Sequence, residues 1–90
     1  YLIEQFTEAA RGLGFTDEQA KVMVQETFLG ASELLAVSGK TPEELRKQVT
    51  SPNGTTERAI ARMSETDLES MFVEATEAAL ARARELAAGK

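Results

Sequence analysis

The sequence predicts an all-α domain of about five helices, and three observations carry that expectation. Apolar residues recur at helical spacing along most of the chain, and no stretch alternates in the manner of a half-buried strand. Helix starts are marked three times by a hydroxyl residue followed three positions later by Glu or Gln: Thr16 with Gln19, Thr41 with Glu44, and Thr66 with Glu69. Gly and Pro stand between the periodic segments rather than within them, with Gly30 the exception.

The elements follow in order. Tyr1, Leu2, Ile3, Phe6, Ala9, Ala10 and Leu13 trace a first helix that ends at Gly12-Leu13-Gly14, where a positive φ is expected. No capping residue precedes it, which suggests a chain cut from a longer parent. Thr16 opens the longest helix, Asp17 to about Val37, which stops at Ser38-Gly39. Thr41 caps a two-turn helix with Pro42 at its first position and Leu45 and Val49 facing inward; Pro52 and Asn53-Gly54 end it. A short helix through Ala59, Ile60 and Met63 follows, then a final one from Asp67 to about Ala88. On that last helix Leu68, Met71, Phe72, Ala75, Ala79, Leu80 and Leu86 form an apolar face, and its alanines permit close helix approach.

Composition narrows the function. Ninety residues make one domain, residues 1–90, and the fifteen Asp and Glu against ten Lys and Arg give a net charge of −5. Nothing resembles the basic stripe that nucleic-acid binding needs. With no Cys and no His, disulfides, thiolate nucleophiles, imidazole bases and zinc sites are excluded. No apolar run is long enough to cross a bilayer, and the start lacks a signal-peptide pattern; a cytoplasmic location, with neither nucleic acid nor membrane as partner, is expected. The acidic residues are scattered at helical spacing as a solvated face. Arg62 with Glu65 and Arg82 with Glu85 read as surface pairs.

Two features ask for more than folding. The long helix carries Ala20, Met23, Val24, Thr27, Phe28, Ala31, Leu34 and Leu35 on one face, yet Val22, Leu29 and Ala36 lie off it. Either this helix is central in its own bundle or a second chain covers the excess. The other feature is Thr50-Ser51-Pro52-Asn53-Gly54-Thr55-Thr56, where the N–H groups of Gly54, Thr55 and Thr56 are expected at a helix N-terminus that favours an anion. Four hydroxyls flank them. An ordinary capped helix connection accounts for the same residues, and the sequence leaves both readings open.

The run Pro42 to Ile60, with its Thr50-Ser51-Pro52, Asn53-Gly54, Thr56 and the Ala59-Ile60-x-x-Met63 continuation, resembles the signature of pyrroline-5-carboxylate reductase. Phe28-Leu29-Gly30-Ala31 with Leu34-Leu35 resembles the family's Leu-Gly-Ala helix, so the likeness spans essentially the whole chain. It covers only the family's C-terminal, all-helical domain. A Gly-x-Gly-x-x-Gly turn after a strand is absent, so the resemblance implies a missing Rossmann domain that holds NADP or NAD in the parent, with no cofactor expected on this domain alone. It further implies an intertwined homodimeric helical bundle, sometimes part of a higher oligomer, and reduction of a cyclic imine to L-proline in proline biosynthesis.

By the same resemblance, Ser51, Gly54 and Thr55 contact the carboxylate of pyrroline-5-carboxylate or proline. Thr56 matches the threonine beside the ring nitrogen and is the expected catalytic residue. Gln48 matches a position, often Asn in the family, that touches the cofactor. The sequence departs from the family pattern at Gly39 and Thr41, commonly Glu and His, and at Ser64. The isolated chain is expected to be catalytically incomplete. The reading that competes with this one is a purely structural or engineered helical module with an inert loop.

Overall fold

The computed structural model describes residues 1–90 as five α-helices without a strand: α1 Leu2–Gly12, α2 Asp17–Ser38, α3 Pro42–Gln48, α4 Thr55–Ser64 and α5 Leu68–Ala87. The chain divides into two compact units, Tyr1–Arg46 and Lys47–Lys90.

In the first unit α1 and α2 form an antiparallel pair. The chain turns at Gly14, whose φ of 105° only glycine adopts without strain and whose N–H donates to Arg11 O at 2.9 Å. Thr16 then starts α2 with a complete capping box. Its Oγ1 accepts from Gln19 N at 3.2 Å, and its own N–H donates to Gln19 Oε1 at 3.0 Å. Arg11 spans the connection, bonding Asp17 at 3.3 Å and pairing with Glu8. Apolar spacing on both helices meets at Ala10, Ala20 and Val24, which are 7%, 0% and 1% exposed. Phe28 packs on this cluster, and Phe6 meets its ring edge-to-face at 6.0 Å and 85°. α2 ends at Gly39, with φ 69°. At Thr41 the hydroxyl accepts from Glu44 N at 3.1 Å and donates to Glu44 Oε1 at 3.2 Å, so the Glu returns to the hydroxyl.

The second unit is packed far less, and of its two helix starts only that of α5 carries a side-chain cap. α5 starts one residue later than the expected box. Asp67, not Thr66, is its N-cap, accepting from Ser70 N at 3.1 Å and from the Ser70 hydroxyl at 2.6 Å. An ionised carboxylate is the stronger acceptor at a helix N-terminus, so Asp67 with Ser70 displaces Thr66 with Glu69. The helix ends with Gly89 N–H on Leu86 O at 3.1 Å and Lys90 N–H on Glu85 O at 2.9 Å, a Schellman arrangement. Arg62 with Glu65, at 2.7 Å, and Arg82 with Glu85, at 2.9 Å, are the exposed pairs expected.

Neither α3, α4 nor α5 buries a residue completely. Leu68, Met71, Phe72, Val73, Leu80 and Leu86 of α5 stay between 41% and 60% exposed. The chain presents 7556 Å² of surface.

Candidate functional site

The candidate site lies wholly in the second unit, on the connection between α3 and α4. α3 ends at Gln48, and Thr50 N–H bonds Lys47 O at 3.3 Å. Ser51, Pro52, Asn53 and Gly54 then make a tight turn, closed by Gly54 N–H on Ser51 O at 3.0 Å. Each residue has a physical reason. Pro52 fixes φ at the second position, and Asn53 at the third adopts φ 61°, which a short amide side chain tolerates. At Gly54 a Cβ would stand 3.1 Å from Ser51 O and 3.4 Å from Ser51 Cβ, so a side chain there would require the turn to give by a few tenths of an ångström.

Gly54 is also the N-cap of α4, with extended backbone and no side-chain capping bond. The N–H groups of Thr55, Thr56 and Glu57 therefore open the helix without an intrachain acceptor, and the dipole adds partial positive charge there. Gly54 and Thr56 are half-buried, while Ser51, Thr55 and Gln48 are exposed. The hydroxyls of Ser51, Thr55 and Thr56 make no hydrogen bond within the chain.

The turn brings Ser51 and Gly54 together, and the helix start sets Thr55 and Thr56 next to them. One expectation is corrected. Gly54 N–H does not open outward with Thr55 and Thr56, because Ser51 O occupies it. Glu57 is a participant that the sequence reading set aside as part of a solvated face. Its Oε1 accepts from Asn53 N at 3.3 Å and so pins the turn to the first turn of α4. Its spacing three residues after the N-cap was the available signal. Two concavities of about 390 Å³ lie elsewhere, one along Phe15, Gln19, Val22 and Met23 and the other along Ile3, Glu4, Lys21 and Gln25. Neither includes a residue of the connection.

No group of three or more His, Cys, Asp or Glu is arranged to hold a metal ion. No helix is long and apolar enough to cross a membrane. No strand is present to carry a dinucleotide-binding turn, so these ninety residues do not fit a nicotinamide dinucleotide in the Rossmann manner.

Capped helices with wide uncovered apolar faces define the chain as a helical association domain. The particular family follows from comparison: the pyrroline-5-carboxylate reductase dimerisation model matches residues 1–86, and the chain belongs to that family. The pyrroline-5-carboxylate reductase of Pseudomonas aeruginosa is 41% identical over 86 residues, covering 96% of this chain and 32% of its own length. Pyrroline-5-carboxylate reductase 2 of Bacillus subtilis is 37% identical over 84 residues, covering 93% of this chain and 30% of its own. The solved structure of a pyrroline-5-carboxylate reductase from Coxiella burnetii matches with a TM-score of 0.90 at 40% identity, covering 94% of this chain and 32% of that one. The chain thus spans about a third of the length of the curated relatives it matches.

Proposed function

We propose that residues 1–90 form the dimerisation and substrate-binding domain of a pyrroline-5-carboxylate reductase, which reduces 1-pyrroline-5-carboxylate to L-proline. The observation that carries this reading is the turn Ser51–Gly54 abutting the uncapped start of α4, in a chain that belongs to the dimerisation family. Two copies associate through the apolar faces that each leaves uncovered. The nicotinamide cofactor, NADP or NAD, supplies reducing equivalents and belongs to the part of the relatives' length that this chain does not span.

What these residues contribute is binding and orientation. The N–H groups of Thr55 and Thr56 and the hydroxyls of Ser51 and Thr55 receive the substrate carboxylate. Gly54 allows it to approach the backbone. The Thr56 hydroxyl stands at the ring nitrogen, which gains a proton as the imine carbon is reduced. Gln48, at the end of α3, is the residue assigned to the cofactor. A cytoplasmic location goes with this reading.

Titration of the isotopically labelled chain with L-proline tests the loop assignment. Amide signals of Thr55 and Thr56 are expected to shift and saturate. Signals that stay unmoved at high proline concentration leave an inert association module instead. Sedimentation equilibrium tests the other half of the reading, since a chain that remains monomeric at micromolar concentration overturns dimerisation.

A further inference from the structure

α2 carries two apolar lines, and α1 covers one of them. Ala20, Val24 and Phe28 face α1. About 100° around the helix, Met23, Thr27, Gly30, Leu34 and Val37 follow one another at alternating steps of four and three residues. That spacing is the seam of two helices packed at a shallow angle. The seam is bare: Met23 is 44%, Leu34 49% and Val37 75% exposed. Thr27 fits it as well, because its hydroxyl already donates to Met23 O at 2.7 Å and leaves the methyl group for packing.

Gly30 sits at the centre of this line and has no reason to be glycine within its own chain. Its φ is not positive, and a Cβ built there meets nothing within 4 Å. Glycine is also the poorest helix former after proline, so Ala at this position would favour the helix. A mid-helix glycine in an apolar seam instead fits a place where another helix comes closer than a Cβ permits.

We infer that the Met23–Val37 seam of α2 is the line on which a helix of a second copy crosses, with Gly30 at the point of closest approach. A second copy is the occupant because the family is one of dimerisation and because Met23, Leu34 and Val37 form a continuous apolar line that α1 leaves bare. This inference rests on the dimer reading above and locates its contact.

Gly30→Ala separates the two possibilities by sign. The dimer dissociation constant is measured by sedimentation for the whole chain, for Gly30→Ala and for Ser32→Ala, which lies exposed on the opposite side of α2. At a closely packed crossing the added methyl is expected to weaken association by about tenfold or more. Ser32→Ala is expected to leave association unchanged, and helix content by circular dichroism should not fall in either variant. Gly30→Leu should abolish the dimer. Dimerisation of Gly30→Ala as tight as that of the unaltered chain, or tighter, overturns the crossing while leaving the dimer itself intact. A monomeric unaltered chain overturns both.

Discussion

The two compact units are alike in helix content and differ in what holds them. Tyr1–Arg46 has a small core of its own, with Val24 and Ala20 shut off from water between α1 and α2. Lys47–Lys90 has a side-chain cap at the start of α5, exposed ion pairs and a tight turn, but no buried residue. Caps and turns choose where helices begin and end, whereas removal of apolar surface from water supplies most of the stability that keeps them folded. The second unit thus has its boundaries specified locally, while none of its own residues is shut off from water.

Substitutions on the two units should separate these roles. The largest effect is expected on α5, where Phe72→Glu places a charge on the face assigned to association. It should weaken the dimer at least about a hundredfold, by the usual cost of an unpaired buried charge, as read by sedimentation, with α5 helicity falling in parallel. A Phe72→Glu chain that dimerises normally would end the contrast between the units. Val24→Ala is next, costing about 2 kcal/mol in chemical denaturation, because it opens a cavity in the one core the chain possesses. At the turn, Asn53→Ala should cost about 1 kcal/mol through its left-handed backbone and lower proline affinity, while Asn53→Gly should be nearly neutral. Thr16→Ala removes one half of a capping box and should cost about 1 kcal/mol, confined to α2 in hydrogen exchange.

The smallest effect concerns pH. The Ser70 hydroxyl, and after it the Ser70 N–H, hold the Asp67 carboxyl below its ordinary range. Because the folded value is the lower one, the cap's contribution is complete above the unfolded value, near about 4, and is lost as pH falls through the folded value. Carboxyl carbon titration should place Asp67 below the other acidic residues, and Ser70→Ala should return it upward. An Asp67 that titrates normally would mean that Thr66 does the capping after all.

Much of the fold was legible because its signals are local. Thr16 with Gln19 and the glycines at 14 and 39 sit where the chain's periodicity breaks, and the structure uses them as read. The start of α5 was misread because Thr66 and Asp67 are adjacent acceptable caps, and only the position of Ser70 decides between them. At the site, the connection was identified from composition and resemblance, but the fate of Gly54 N–H depends on turn closure over three residues. The role of Glu57 depends on how far that turn leans on α4. Neither is a property of residue type. The wide apolar arc on α2 is visible as a pattern; that α1 takes one of its lines and leaves the other bare depends on how the two helices pack.

The absence of a buried residue from Lys47–Lys90 also governs time. If the proposed dimer supplies that unit's stability, it cannot leave its partner and stay folded, and exchanging partners requires unfolding first. Two differently labelled preparations mixed after folding should stay unmixed for as long as the unfolding rate dictates, whereas chains co-refolded from denaturant should pair at random. Pairing would then be decided during folding, when concentration matters most, and afterwards be remembered.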